Sequence, residues 1–297
     1  MFYKLFQIQN PKGVMGINRR NLELVYRHNH RKHYRLADDK VLTKQLLEAH
    51  KIATATTYAV IRKTGNIKRK WEQCKQYDAV AIKPANGCGG DGIKILKKDS
   101  EGNFRSGGRV WTDTEVYKHI TSIVSGFFSM NSLDSCLIEK CIVPHPFFAE
   151  IYNAGVPDFR VITLKGTPIM AMLRMPTSES DGKANLHQKG VGIGIHMGKG
   201  VLTQVYDGKR YTHHHPDNPN PVYGKEIPYW EEILTLSEKT AEIFPLDYLG
   251  IDIVIDEAEG PQIMEVNVRP GLGIQLVNRC GLQQSINENL ITSNLLS

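Results

Sequence analysis

The chain is short of cysteine, and the cysteines it has stand in none of the close pairs that metal sites and redox motifs use. There are five in 297 residues, an odd number with no CxxC, which suits reduced thiols and a cytoplasmic setting better than a disulfide framework. Cys136 and Cys141 lie five apart on one expected strand, hence on opposite faces. Long apolar runs are also missing. Nothing approaches the ~18 consecutive apolar residues of a membrane span. The opening MFYKLFQIQNPKG has neither the apolar core nor the cleavage site of a secretion signal. No G-K-[ST], H-R-D or D-F-G occurs, so neither a Walker loop nor a protein kinase is expected. The charge of +6 and pI near 8.9 suit an anionic ligand. The basic run RHNHRKHYR nevertheless lacks an aromatic platform or a repeated stripe, so it is read as solvated surface and no nucleic-acid partner is expected.

What is present is the patterning of a soluble globular chain, 41% hydrophobic and 23% charged, with no low-complexity tract or internal repeat. A short helix is expected near Asn18 to Tyr26. Asp38 or Asp39 can cap a helix starting at Lys40 through VLTKQLLEAH. AVAIKPANGCGGDGIKIL places two apolar runs around a glycine cluster and reads as a β-hairpin. A helix over Thr112 to Ser125 and the strand SCLIEKCI follow. FRVITLKGTPIMAMLRM reads as two strands joined at Lys165-Gly166. Residues 176–190, rich in Ser, Gly, Asn and Lys, are expected to form a mobile loop that orders on substrate. VGIGIHM is a strand, Pro228 to Phe244 a helix with proline at its start, and YLGIDIVID with PQIMEVNV a closing β pair. The order is α+β, with mostly antiparallel hairpins.

Three clusters could carry chemistry. In KPANGCGGDGIK, Gly87, Gly89 and Gly92 satisfy G-x-G-x-x-G, but the strand-like IKIL follows where a dinucleotide fold needs a helix. A glycine-rich hairpin can still fold its N–H groups over phosphates, with the strand residue Lys83 supplying a charge. Residues 83–96 are expected to be a mobile lid. Cys88 in this turn could be reactive, though nothing requires it. In IMEVNVRPG, period-two alternation puts Glu265, Asn267 and Arg269 on one strand face and Met264, Val266 and Val268 on the other. In GIDIVID, Asp252 stands opposite an Ile251, Ile253 and Ile255 face. Asp252, Glu265 and Asn267 then form a set of hard oxygen ligands of the kind magnesium takes, with Arg269 ready for an anion. Arg160 and Arg174 stand among apolar strand residues, where each needs an acidic partner or an anionic site. His213, His214 and His215 sit among Pro and Asn and are read as a loop rather than a zinc site.

Taken together these pieces resemble the ATP-grasp superfamily of carboxylate–amine ligases, from about Asp38 to Gly271. They come in the family's order: DDK, IKPANGCGGDG, LIEKCI, DFRV, IDIVID and MEVNVRPG. The last is the most specific, being similar to the E-x-N-x-x-P-G metal strand. MLRMPTSESDGKANLHQKG and GINRRN are similar to the ribosomal-protein glutamate ligase and α-L-glutamate ligase-like groups.

The resemblance implies an ATP-grasp fold, two α+β subdomains gripping ATP: a short segment 1–39, a small subdomain 40–140 and a large one 141–297. It implies that Lys40 and Lys83 hold the ATP phosphates under the loop of Gly87, Gly89 and Gly90. It makes Glu139, Lys140, Cys141 and Ile142 the adenine-reading linker and gives Asp158 the ribose. Asp252, Glu265 and Asn267 would hold two Mg2+ ions, with Mn2+ as a substitute. Arg160, Arg174 and Arg269 would serve the transferring phosphoryl group, and Asn185, His187 and Lys189 the acceptor. The chain departs at Gly250, where relatives carry an arginine that Arg160 or Arg174 would replace, and in a shortened N-terminal region. Lys189-Gly190 also stands where relatives often have Gly-Gly. The expected activity joins glutamate or another amino acid to a carboxylate acceptor of unspecified size through an acyl phosphate, and a homo-oligomer is compatible with it. The alternative is a catalytically silent nucleotide-binding regulator, which would have no reason to keep three metal ligands.

Overall fold

The computed structural model describes residues 13–87 and 89–295, so Cys88 and the first twelve residues lie outside the described residues. The chain divides into two compact units. The smaller is Arg35–Val143, and the larger is formed by the chain on either side, up to Tyr34 and from Pro144.

The smaller unit is built on a six-stranded antiparallel sheet in the order β1-β6-β2-β3-β4-β5. Its strands are β1 Thr57–Ile61, β2 Ala79–Pro84, β3 Lys94–Lys98, β4 Phe104–Ser106, β5 Arg109–Val110 and β6 Cys136–Lys140. Alternation sorts β2 and β6 by face. Val80, Ile82, Cys136 and Ile138 join a core completed by Trp71 of helix Ile67–Cys74 and by Val116, Ile120 and Ile123 of helix Asp113–Val124. The second of these helices opens with a capping box, Thr112 Oγ1 accepting from Glu115 N while Glu115 Oε2 accepts from Thr112 N at 2.8 Å. Ala81, Lys83, Leu137 and Glu139 share the other sheet face by register. There Leu137 meets Val41 of helix Lys40–Ala49. Asp39 starts that helix by accepting from Val41 N and Leu42 N at 3.0 and 3.3 Å.

The larger unit carries a seven-stranded antiparallel sheet, β11-β10-β9-β8-β7-β12-β13. Its strands are β7 Asp158–Leu164, β8 Thr167–Met175, β9 Val191–His196, β10 Val201–Tyr206, β11 Tyr211–Thr212, β12 Tyr248–Asp256 and β13 Gly260–Asn267. Lys165 and Gly166, both at positive φ (50° and 83°), make the tight β7–β8 turn. Helix Trp230–Ile243 lies across β7, β8, β12 and β13. It starts two residues later than its proline suggests, because Tyr229 is left-handed at φ 59°. The segment up to Tyr34 belongs to this unit rather than standing apart. Met15 N donates to Gln275 Oε1 (2.8 Å), Arg20 Nη1 to the Pro270 carbonyl (2.7 Å) and Asn29 Nδ2 to the Tyr248 carbonyl (2.7 Å).

Two expectations need correction. Glu265 pairs with Asp252 but Ile263 with Ile253, so Met264 is the extra residue of a β-bulge. Ile263, not Met264, therefore joins Val266 and Val268 in the buried set, and Met264 is only half-buried. The segment 176–190, expected to be mobile, is held by side-chain hydrogen bonds. Thr177 Oγ1 donates to the Lys189 carbonyl (2.9 Å), Ser180 Oγ accepts from Thr177 N (2.9 Å), and Ser178 binds Asp217 through both its N–H and its hydroxyl (2.9 and 2.7 Å). His215, fully buried and stacked on Tyr152, reaches the Pro176 carbonyl with Nε2 at 2.8 Å. The His run is thus a strut for this segment. Among the described residues no group of three or more His, Cys, Asp or Glu could hold a metal.

Helix Gly273–Asn278 approaches β9 so closely that a Cβ on Gly192 would overlap Val277. Gly192→Ala should therefore lower stability by about 1–3 kcal/mol, the usual range for overpacking. Urea unfolding that leaves the midpoint unmoved would show that the helix can slide away.

Candidate functional site

The strongest concentration of chemistry in the larger unit lies on the face of β7, β8, β12 and β13 opposite the isoleucine set. Register puts Asp252 directly beside Arg160 on one side and Glu265 on the other, and pairs Asp158 with Arg174. The four central groups are buried: Asp252 is 1% exposed, Asp158 4%, Arg160 7% and Arg174 8%. Arg160 grips both carboxylate oxygens of Asp252, Nε on Oδ1 and Nη2 on Oδ2 at 2.8 Å. Arg174 spans the two acids, Nε donating to Asp158 Oδ1 and Nη2 lying 2.8 Å from Asp252 Oδ2. Two planar guanidiniums can divide their N–H groups over two carboxylates in a way ammonium groups cannot.

The electrostatics follow from that packing. Burial alone would raise the Asp252 carboxyl, but Arg160 and Arg174 overcome it and hold it below the usual range. For Asp158 burial wins over Arg174, and nearby Asp252 adds to the rise, so its carboxyl is pushed up to about 6. Burial would lower the Arg174 guanidinium, yet Asp158 and Asp252 raise it, so it stays charged.

Gly250 belongs to the same design. A Cβ there would come within 2.5 Å of Pro270 Cβ and 3.3 Å of Arg160 Cδ. The space a larger residue would need is taken by Pro270 and, from the next strand, by the Arg160 stem, which brings a guanidinium to Asp252 from the side. Glu265 and Asn267 are half-buried at the rim, and Asn267 Nδ2 lies 3.3 Å from Asp252 Oδ2. Two carboxylates and a carboxamide, with no soft ligand, fit a hard divalent cation by chemistry. Asp252 already accepts from both arginines, so a cation reaching it shares that carboxylate. The other expected groups are engaged elsewhere. Arg269 is exposed and lies over the Tyr34 ring at 5.2 Å. Asn185 caps the turn Leu186–Gln188 through His187 N (3.0 Å), and Lys189 pairs with Glu179 (3.1 Å). His187 is exposed.

The smaller unit gathers a second charged group. Lys83 and Glu139 sit diagonally on β2 and β6 and form an ion pair, Nζ to Oε1. Lys44 reaches the same carboxylate, Nζ to Oε2 at 2.9 Å, and also donates to the Ala55 carbonyl. Burial would raise Glu139, but Lys83 and Lys44 overcome it and lower its carboxyl. Burial lowers the Lys44 ammonium, with Glu139 opposing. Lys44 was not singled out in the sequence, although it follows Lys40 at i+4 and so shares its helix face. Lys40 Nζ donates to the Gly87 carbonyl at 2.8 Å. Gly89, Gly90 and Gly92 all take positive φ (64°, 77° and 77°), which explains why glycine fills this turn. The hairpin is real, since β2 and β3 pair from Ala79 to Ile82, but the turn proper spans only 85–93. Beyond Glu139 and Lys140 the strand ends, and buried Cys141 and half-buried Ile142 lead to the unit's last residue, Val143.

Removing one acid from the buried arginine cluster tests the charge balance. Asp252→Asn leaves Arg160 and Arg174 facing Asp158 alone and should cost about 3 kcal/mol in urea unfolding. A loss under about 1 kcal/mol would mean that the arginines find water instead.

Comparison with known proteins gives a family and a fold. Residues 19–289 match the family described as sugar-transfer associated ATP-grasp. No functionally curated protein is similar to the chain in sequence. Among solved structures, the biotin carboxylase–β,γ-ATP complex from Campylobacter jejuni superposes with a TM-score of 0.51 at 13% identity, covering 85% of this chain and 46% of that one. The ATP-grasp ligase PsnB, complexed with a minimal precursor, gives 0.49 at 11% identity over 90% of this chain and 63% of its own. D-alanyl-alanine synthetase A from Vibrio cholerae gives 0.48 at 11%, over 88% and 66%. The chain thus spans less than two thirds of the length of each, and identities this low speak to fold alone. The fold is α+β with two antiparallel sheets, and, on the match over residues 19–289, the chain belongs to the sugar-transfer associated ATP-grasp family.

Proposed function

We propose that the protein is an ATP-dependent ligase that joins a carboxylate to an amine. The observation that carries this reading is the sheet face on which Asp252, Glu265 and Asn267 stand with Arg160 and Arg174. A carboxylate is a poor electrophile, being anionic with a bad leaving group, and phosphorylation removes both faults. In the proposed reaction an acceptor carboxylate oxygen attacks the γ-phosphorus of ATP, and the bond to the departing ADP breaks. The amine nitrogen then attacks the acyl carbon, phosphate leaves, and the amine gives up a proton. The first step brings two anions together, so the site needs fixed cations more than a general base.

Lys40, Lys83 and the N–H groups of the Gly87, Gly89 and Gly90 turn would hold the ATP phosphates, Glu139 to Ile142 the adenine and Asp158 the ribose. Asp252, Glu265 and Asn267 would hold two Mg2+ ions, or Mn2+, whose chemistry is neutralisation of phosphate charge. Arg160, Arg174 and Arg269 would serve the phosphoryl group, and Asn185, His187 and Lys189 the acceptor. The family's description as sugar-transfer associated places sugar acids among the acceptors to be tested. Glutamate stays the proposed amine on motif likeness alone. Incubation with Mg-ATP, a panel of amino acids and sugar acids, followed by phosphate release and product mass, tests the pairing. ATP binding without turnover across the panel would favour the silent regulator.

Glu265→Gln removes a charge while keeping volume. Mg-dependent ADP formation should fall by about 100-fold or more, with the urea midpoint close to wild type because Glu265 is only half-buried. Turnover near the wild-type rate would remove Glu265 from the metal set. Arg174→Lys keeps charge but loses the fork that spans Asp158 and Asp252. It should lower kcat more than it weakens ATP binding. The opposite split would mark Arg174 as a ground-state contact.

A further inference from the structure

The glycine-rich turn between β2 and β3 is fixed at both ends, by groups outside the site just described. At its start, Asn86 N donates to both Asp134 oxygens (3.2 and 3.1 Å), and Asn86 Nδ2 donates to Oδ1 at 2.7 Å. Asp134 is buried and also accepts from Ser129 Oγ and from Ser135 N at 2.7 Å. All of these donors are neutral, so the carboxylate spends its lone pairs on holding backbone in place. At the other end His119 Nε2 meets the Gly92 carbonyl at 2.9 Å, an arrangement that requires the N–H on Nε2. Gly92 lies so close over Phe128 that a Cβ would come within 2.6 Å of the ring. The His119 ring is in turn seated edge-on to Trp111 and tilted to Phe128, with centroids 5.8 and 5.7 Å away. His119, Phe128 and Asp134 all come from helix Asp113–Val124 and the loop after it. One element therefore grips both ends of the turn.

We propose that Asp134 and His119 are positioning residues for the nucleotide: they hold Asn86 and Gly92, at the two ends of the glycine-rich turn, in place for phosphate. The proposal rests on the nucleotide reading of that turn. A preformed frame lowers the ordering cost of binding, and affinity rises accordingly.

Asp134→Asn puts an NH2 donor where four donors converge. In nucleotide-free protein, hydrogen exchange over residues 85–93 should quicken about tenfold while β1 and β6 stay as in wild type. The KM for ATP should rise about tenfold with kcat within twofold, a split that a merely structural role would not produce. If Asp134→Asn does not fold, Asn86→Ala severs the same anchor from the turn side, with the same result expected. At the other end, His119→Phe keeps a ring but loses the donor and should raise the KM, whereas His119→Gln restores an N–H and should recover affinity. Calorimetric titration of wild type with Mg-ATP separates the two levels. No binding by wild type overturns the nucleotide reading and the proposal with it. Binding by wild type with equal affinity in Asp134→Asn or Asn86→Ala overturns the positioning role alone.

Discussion

Charge taken out of water has to be answered by charge or hydrogen bonds in the same place, and both candidate clusters are shaped by that requirement. In the larger unit the answer is complete: two buried acids, Asp158 and Asp252, face two buried guanidiniums, Arg160 and Arg174. The antiparallel register makes this possible, because it sets Arg160 opposite Asp252 and Arg174 opposite Asp158 on successive strand pairs. In the smaller unit the answer is partial. Lys44 and Lys83 share the single carboxylate of Glu139. Burial opposes charge on Lys44, and its bonds to Glu139 and to the Ala55 carbonyl offset part of that cost. The two clusters therefore differ in kind: one balances two acids against two guanidiniums, and in the other two ammonium groups share one carboxylate.

Much of this was legible in the chain because the relevant signals are local. The glycine cluster between two apolar runs became the β2–β3 hairpin, Asp39 capped the helix at Lys40, and Lys165-Gly166 became a two-residue turn. Alternation in GIDIVID put Asp252 opposite three isoleucines without any tertiary knowledge. The alternation rule failed at Met264, where a bulge inserts a residue, since bulges answer to pairing with a partner strand that the segment itself does not encode. Lys44 carries no signal in the sequence, because one lysine among VLTKQLLEAH looks like a solvated position. Only the fold shows that it reaches Glu139.

The segment 176–190 departs from expectation for a related reason. Its Ser, Gly and Asn content does predict the absence of regular structure, and apart from the short turn Leu186–Gln188 none forms. Lack of regular structure is not lack of order, however. The hydroxyls and amides that discourage helix and strand are the groups that make side-chain to backbone bonds. Partners far along the chain, His215 and Asp217, complete the set. Asp134 teaches the same point, because its role depends on Asn86, 48 positions earlier.

The division of the chain, with one contiguous unit set inside the sequence of the other, has a consequence for the order in which the molecule forms on the ribosome. Residues 35–143 hold all six strands of their sheet and can close their core once Val143 has emerged. The stretch up to Tyr34 cannot finish. Asn29 waits for Tyr248, Arg20 for Pro270, and Met15 for Gln275. For most of synthesis this amino-terminal stretch, with its buried Leu24 and Val25, therefore lacks the bonds that hold it in place. Domains that complete early fold as units, while long-range closure comes late and leaves apolar surface open to wrong partners. Truncation within the last strand pair should accordingly leave the unit Arg35–Val143 folded and the other half sticky.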